Sequence, residues 1–231
     1  MFNPFGTSKI SEEKNEEYTD DDLRAKLSHG LGDDVINYLN TPFLDKTYGT
    51  ASYSDVQIRS FIDSIFNLFS KGNVCFLGSG RGYDAVQFAK MNFDVTAVDF
   101  APSAIKAVNV LAKKSDLSIQ TIQDDIFSLT PEYANTFDLI IEQTCFCAIH
   151  PSRRKDYEKL AKSLLKPSGK LIGLWFPLDK KTDEGGPPWG TTINEVKSIF
   201  NSGWLIEKEE FPAQSIAPRK GREKLIIFKK C

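Results

Sequence analysis

From residue 73 onward, short apolar runs alternate with stretches in which apolar residues recur every three or four positions. A short continuous apolar run is typical of a strand buried on both faces, whereas the second spacing predicts an amphipathic helix. The predicted strands cover residues 74–77, 95–98, 119–122, 137–141, 171–176, 204–209 and 224–228. The predicted helices cover residues 85–91, 102–113, 151–165 and 192–200.

This alternation predicts an α/β fold with a doubly wound, seven-stranded sheet. Most strands should run parallel, because an intervening helix can carry the chain back across the sheet. No helix is predicted between residues 209 and 224, so the last strand should pair antiparallel with its neighbour.

The beginning of the chain has a different composition. Residues 1–35 are polar and acidic, with dense carboxylates at 12–17 and 20–22, and such blocks are usually solvated. We expect a flexible extension here, with a lid or a partner-binding tail as the alternative. A first helix is predicted from Ser54 to Phe69, and residues 36–231 are expected to form one domain.

Charge and cysteine content narrow the functional classes. The formal charge of −2 argues against a nucleic-acid binder, which would carry a basic face. The four cysteines, at residues 75, 145, 147 and 231, show neither a disulfide pattern nor a zinc-ligand spacing. No apolar stretch approaches the roughly 20 residues that span a bilayer, and the first residues lack a signal-peptide core. We therefore expect a cytoplasmic monomer without a metal site or membrane attachment.

A glycine-rich loop is the first candidate for chemistry. The first predicted strand ends at Leu77, and Gly78-Ser79-Gly80-Arg81-Gly82 leads from it into a helix. Glycines allow close backbone approach to a ligand, and a strand–loop–helix of this kind is typical of nucleotide sites. The dinucleotide fingerprint needs its third glycine one place later, where Tyr83 stands. An NAD-dependent oxidoreductase is therefore a remote alternative.

Two acids follow later strands of the predicted sheet. Asp99 ends the second strand, where a carboxylate can accept hydrogen bonds from a ribose diol. Asp125 follows the third strand, in reach of an adenine amino group, and Ile126 can cover the ring. The alternatives are a helix N-terminal acid for Asp99 and a solvated loop acid for Asp125.

Further segments resemble a known family. They are Asp125-Ile126-Phe127, Phe137-Asp138-Leu139-Ile140, Phe146-Cys147-Ala148-Ile149-His150-Pro151, Leu165-Lys166-Pro167-Ser168-Gly169, Gly185-Gly186-Pro187-Pro188-Trp189 and Arg219-Lys220-Gly221-Arg222-Glu223-Lys224-Leu225. With the glycine loop and Asp99, they resemble class I S-adenosylmethionine-dependent methyltransferases of the thiopurine S-methyltransferase family, in particular its halide/thiol branch. The likeness covers roughly residues 40–230.

This resemblance implies a Rossmann-like methyltransferase domain at residues 36–231. The implied cofactor is S-adenosyl-L-methionine, with S-adenosyl-L-homocysteine as product and a small molecule as methyl acceptor. The implied cofactor-binding residues are Gly78, Ser79, Gly80, Gly82, Asp99, Phe100, Asp125, Ile126, Phe127 and Glu142. The implied substrate-binding residues are Phe43, Cys145, Phe146, Trp189 and Arg219.

Three residues around the start of the 151–165 helix are candidates for catalysis. His150 is the candidate base, although a residue before a helix-starting proline also serves as a helix-entry residue. Arg154 and Tyr157 lie three apart, on one helix face. The resemblance implies that Arg154 orients the substrate; a surface cation is the alternative, as an exposed hairpin charge is for Arg219.

The expected reaction is methyl transfer from S-adenosylmethionine to a small soft nucleophile, with thiol sulfur first and a halide or thiopurine second. Arg81 and Glu142-Gln143-Thr144-Cys145 depart from the halide/thiol pattern, so the acceptor is the least determined part. The alternatives are O- or N-methylation of a small metabolite on the same fold and a non-catalytic cofactor-binding module.

Overall fold

The computed structural model describes residues 71–213, 215 and 218–231. The predicted acidic extension at 1–35, the predicted helix from Ser54 to Phe69 and the predicted substrate residue Phe43 lie outside the described residues.

The described part of the chain contains seven strands and four α-helices, as its hydrophobic pattern predicts. The strands are β1 (Asn73–Leu77), β2 (Asp94–Asp99), β3 (Gln120–Gln123), β4 (Phe137–Gln143), β5 (Leu165–Trp175), β6 (Trp204–Glu210) and β7 (Lys224–Lys230). The helices are α1 (Tyr83–Lys90), α2 (Pro102–Lys114), α3 (Arg154–Leu164) and α4 (Ile193–Ile199). Three short 3₁₀-helices lie at Ile126–Ser128, Pro151–Arg153 and Thr182–Glu184.

The strands form one sheet in the order β3-β2-β1-β4-β5-β7-β6. Strands β1 to β5 pair parallel, whereas β7 runs antiparallel to both β5 and β6. The predicted sheet, including its antiparallel last strand, is confirmed. Strand order reverses between β1 and β4, and ligands of such sheets bind outside the carboxyl ends of the strands at this switch point.

The apolar core lies on both faces of the sheet, as the continuous apolar runs predict. Along β1, Val74 and Phe76 belong to the cluster under α1 and α2. Cys75 and Leu77 belong to the opposite cluster, which includes Tyr157 and other residues of α3. Alternate side chains of a strand point to opposite faces, so a strand covered twice is apolar throughout.

The predicted start of the fifth strand is wrong. The sequence places it at residue 171, where the strong apolar run 171–176 begins. The strand instead begins at Leu165, which pairs with Phe137. A register shift then accommodates the extra residues, with Ser168 at a positive φ of 64°. No described helix has the length and apolar character needed to cross a membrane.

Candidate active site

The glycine loop crosses the carboxyl end of β1 in a conformation that favours glycine. Gly78, Gly80 and Gly82 have φ angles of 68°, 52° and 76°, in the left-handed region. The Ser79 amide donates to the Val98 carbonyl at 2.8 Å, which ties the loop to β2. A β-carbon on Gly82 would lie 2.6 Å from Val108 Cγ2, so α2 leaves no room for a side chain there.

Two features of this loop fit a bound ligand. A β-carbon on Gly80 would meet no protein atom within 4 Å, so this glycine faces open space. The Ser79 hydroxyl oxygen is buried and has no hydrogen-bond partner in the part of the chain that is described. A buried hydroxyl normally has a hydrogen-bond partner, so a polar group of a bound ligand beside Ser79 would supply the missing one.

Asp99 closes the loop from the end of β2. Its Oδ2 accepts from the Gly80 amide at 2.8 Å, and its Oδ1 accepts from the Ala101 amide at 2.9 Å. Burial raises the pKa of this carboxyl, and the two amides oppose that rise. Each oxygen retains a lone pair, so the carboxylate can still accept from two hydroxyl groups. Phe100 follows it, partly exposed.

The segment after β3 forms an apolar wall beside Asp99. Asp125 caps the 3₁₀-helix, since its Oδ1 accepts from the Phe127 amide at 3.0 Å. Ile126 is buried, and the partly exposed Phe127 ring carries the Arg153 guanidinium 3.8 Å from its centroid. Asp125 Oδ1 thus makes a structural contact, and its Oδ2, for which the described residues provide no hydrogen-bond donor, can accept from a ligand.

Glu142, at the end of β4, holds the turn that follows that strand. Its Oε1 accepts from the amides of Cys145 and Phe146 at 3.1 and 2.9 Å. Its Oε2 accepts from the Tyr157 hydroxyl at 2.7 Å. With the side chain only 2% exposed, burial raises the pKa of Glu142 to about 7. The structure brings Glu142 and Tyr157 together, both directed into the protein.

Arg154 also points inward. Its side chain is 1% exposed, and its Nη1 donates to Glu195 Oε1 at 2.7 Å. Its Nη2 donates to the carbonyl oxygens of Trp189 and Gly190 at 3.3 and 3.0 Å. The sequence alternative of a surface cation is therefore wrong.

His150 has the geometry of a helix-entry residue. It is the N-cap of the Pro151–Arg153 turn, where its Nδ1 accepts from the Ser152 amide at 3.3 Å. The edge of its ring meets the Trp189 ring, with centroids 4.9 Å apart. No observation tests whether His150 acts as a base, so that role stays a prediction.

The turn after β4 brings the predicted acceptor residues against the glycine loop. A β-carbon on Gly78 would lie 3.0 Å from Cys145 Sγ, so the two loops of the switch point are in contact. Phe146 is buried among aromatic rings, 5.0 Å from Trp175 between centroids. Burial raises the pKa of the Cys147 thiol to about 12, and it also raises the pKa of the Cys145 thiol well above its usual value. These thiols remain protonated, which excludes them as thiolate nucleophiles at neutral pH.

Arg219 adds a buried cation at the same end of the sheet. The side chain is 5% exposed, and its guanidinium lies 4.6 Å from the Phe176 ring centroid, just past β5. Its Nη1 pairs with buried Glu223 at 3.4 Å. The alternative of an exposed hairpin charge is wrong. Burial also raises the pKa of Asp84, in the first turn of α1, to about 6, and Arg219 opposes that rise.

Sequence reasoning missed three acids of this site. Asp84 looks like an ordinary acid in a first helical turn, and Glu223 lies four residues after Arg219. Glu195 follows Thr192 by three, as in a capping box, but its carboxylate binds Arg154 instead of the helix end. Of these three acids, only Glu223 lies close in sequence to a predicted arginine, so a sequence search around Arg154 and Arg219 would have missed Asp84 and Glu195.

The comparisons with known proteins agree with this geometry. The family described as "Thiopurine S-methyltransferase (TPMT)" matches residues 51–229. The chain belongs to that family. It is therefore an S-adenosylmethionine-dependent methyltransferase, as the glycine loop and Asp99 predict.

Individual relatives point the same way. The chain is 33% identical to "Probable thiol methyltransferase 2" of Arabidopsis thaliana, over 66% of this chain and 67% of the relative. It is 35% identical to "Thiocyanate methyltransferase 1" of Brassica oleracea, with the same coverage of each chain.

A solved structure shares the fold. It is a Burkholderia thailandensis 1,6-didemethyltoxoflavin-N1-methyltransferase with bound S-adenosylhomocysteine, and it is 17% identical at a TM-score of 0.58. The match covers 90% of this chain and 87% of the other.

Proposed function

We propose that this enzyme methylates a small sulfur nucleophile in the crevice between the glycine loop and the turn after β4. The supporting observation is Arg219, a buried guanidinium beside the ends of β4 and β5. Glu223 offsets part of this charge, but a buried cation still attracts an anion such as a thiolate or thiocyanate more strongly than an exposed cation does. The names of the Arabidopsis and Brassica relatives describe acceptors of this kind.

On the cofactor side, we assign Gly78, Ser79, Gly80 and Gly82 to the methionyl part. Asp99 and Phe100 are assigned to the ribose. The adenine is assigned to Asp125, Ile126 and Phe127. When bound, S-adenosylmethionine supplies a methyl group on a positively charged sulfur. Glu142 then contributes indirectly, because it fixes the turn that carries Cys145 beside Gly78.

On the acceptor side, the residues exclude water and align the nucleophile. Cys145 and Trp189 line the crevice in this proposal, Phe146 supports it from the core, and Arg219 holds the anion. A dry pocket favours reaction between an anion and a sulfonium, since their charges cancel as the bond forms. A thiol with a pKa of about 8.5 is already a few per cent ionised at neutral pH, so a base is not required. His150 would serve an oxygen or nitrogen acceptor, the alternative we retain.

A panel of acceptors tests this proposal. Bisulfide, thiophenol, thiocyanate, iodide, catechol and simple amines are each incubated with enzyme and S-adenosylmethionine, and products are identified by mass. We expect methylation of the sulfur compounds, with iodide weaker. Methylation of catechol or amines alone would favour the O- or N-methyltransferase alternative. Binding of S-adenosylhomocysteine without turnover of any compound would favour a non-catalytic module.

We also propose a cytoplasmic monomer that does not bind nucleic acid. All four cysteines are free thiols, as expected in a reducing compartment. Size-exclusion chromatography with light scattering tests the monomer, and a dimer mass would overturn it.

A further inference from the structure

The segment between β5 and α4 folds into a closed loop, here called the tryptophan loop (residues 180–190). Its two ends meet: a β-carbon on Gly190 would collide with the Lys180 carbonyl. The Lys180 ammonium donates to the Pro188 carbonyl at 2.9 Å, and the Thr182 hydroxyl donates to the Gly190 carbonyl at 3.2 Å. Trp189 directly precedes Gly190, next to the point where the two ends meet.

The tryptophan loop reaches the turn after β4 through Trp189. The Trp189 amide donates to the Cys147 carbonyl at 2.7 Å. Its ring packs on His150. The loop therefore borders the acceptor side of the proposed site, and its position determines the shape of that side.

Arg154 reaches the same loop from α3. Two of its donors go to the carbonyl oxygens of Trp189 and Gly190, and a third goes to Glu195 on α4. Glu195 uses its other oxygen to accept from the Thr191 hydroxyl at 3.2 Å, directly after the loop. The Arg154 guanidinium also lies 4.7 Å from the Phe146 ring centroid. A single buried cation thus joins α3, α4, the loop and the aromatic core.

Burial keeps this cation away from a substrate. Arg154 is 1% exposed, and its Nε, which has no hydrogen-bond partner among the described residues, is also buried. In this arrangement the guanidinium is covered and its Nη donors are bonded to protein groups, so it is not accessible to an acceptor molecule. This geometry contrasts with the substrate-orienting role that the family resemblance implies for Arg154.

We propose that Arg154 and Glu195 form a positioning pair that holds the tryptophan loop against the acceptor crevice. This inference rests on the proposed function for the identity of the acceptor side. Glu195 sets the orientation of the guanidinium, and the guanidinium then fixes the two loop carbonyls. Arginine suits this task because its planar fork donates in several fixed directions, whereas a lysine ammonium is a compact point charge on a flexible stem.

The test compares Arg154→Lys and Glu195→Gln with the wild type. Arg154→Lys keeps the charge and loses the fork, and Glu195→Gln keeps the shape and loses the charge. We expect either change to raise the acceptor KM about tenfold, because hydrogen bonds to a charged group are lost. The affinity for S-adenosylhomocysteine, measured by calorimetry, should stay unchanged. Trypsin should cleave more rapidly after Lys180 and Lys181 at temperatures far below the melting transition.

Glu158→Gln is the matched control. Glu158 is a buried acid one turn after Arg154 on the same helix, and its partner is the Trp204 indole of β6, which donates to it at 2.7 Å. This change should lower the melting temperature and leave acceptor KM and loop cleavage at wild-type values.

Two results would overturn the inference. In one, Arg154→Lys and Glu195→Gln behave like Glu158→Gln, which would make the pair a general stability element. In the other, cofactor affinity falls as much as acceptor affinity, which would place the pair on the cofactor side. The cleavage measurement needs no acceptor. Failure of the proposed function would therefore appear as a silent wild type in the acceptor panel, whereas failure here appears as unchanged cleavage.

Discussion

The two sides of the crevice are built by different means. The cofactor side consists of backbone amides, glycines at positive φ and the acids Asp99 and Asp125, and Asp99 and Gly80 are only 19 residues apart. The acceptor side depends on side chains that meet over longer distances in sequence, as Arg154 and Glu195 do across 41 residues. Short-range construction gives the cofactor side a local sequence signature. The acceptor side has none of comparable strength, because its partners come from separate elements.

The largest expected effect is a loss of cofactor affinity when Asp99, on the cofactor side, is replaced. Asp99→Ala removes the carboxylate that accepts from Gly80 and Ala101 and that we assign to the ribose. We expect the affinity for S-adenosylhomocysteine to fall about 100-fold or more, since two charged hydrogen bonds to the ligand are lost. Isothermal calorimetry measures this. Asp94→Ala, at the exposed start of the same strand, is the control and should bind as the wild type does. Equal binding by both variants would refute the ribose assignment.

Glu142 supports both sides of the crevice, because it holds the turn after β4 that contacts the glycine loop. Its ionisation should make the stability of the protein depend on pH. Burial raises its pKa from 4.5 to about 7, so the folded protein keeps a proton that the unfolded chain has released. The contribution of Glu142 to the free energy of unfolding should therefore be fully present below pH 4.5 and should be lost as the pH rises through 7. The full loss is about 3 kcal/mol.

Urea unfolding at a series of pH values measures this dependence. Glu142→Gln should make this dependence shallower between pH 4.5 and 7.5, since an amide does not ionise, whereas Asp84 and Asp99 still contribute. Exposed Glu132→Gln is the control and should retain the wild-type profile. A Glu142→Gln profile as steep as that of the wild type would show that another group is responsible.

The smallest expected effect is on the acceptor side. Arg219→Lys keeps a positive charge beside Glu223 but loses the planar face that lies on Phe176. We expect kcat/KM for a thiolate or thiocyanate acceptor to fall about tenfold, while binding of S-adenosylhomocysteine is unchanged. Steady-state kinetics with calorimetry separates the two. A loss of cofactor affinity of the same size would mean that the two sides are not independent at this residue.

Prediction from sequence succeeded where one segment carries its own signal. The strands of the sheet follow from apolar runs, and the glycine loop follows from the spacing of Gly78, Gly80 and Gly82. Prediction failed where contacts between distant segments determine the end of a strand or the burial of a side chain. The turn residues before residue 171 concealed the start of β5 at Leu165, because a register shift absorbs them. Burial of Arg154 and Arg219 was equally hidden, since a charged residue is usually exposed unless a distant partner neutralises it.

The contact between Gly78 and Cys145 has a consequence for how the binding of one ligand affects the other. The glycine loop and the turn after β4 touch at one point, where a β-carbon on Gly78 would lie 3.0 Å from Cys145 Sγ. A ligand that shifts one loop therefore displaces the other, which links the two affinities thermodynamically. We expect the acceptor to bind with different strength before and after the cofactor, and the cofactor to respond to the acceptor by the same factor. That reciprocity holds for either order of binding, so calorimetry with each ligand in turn should give the same coupling factor.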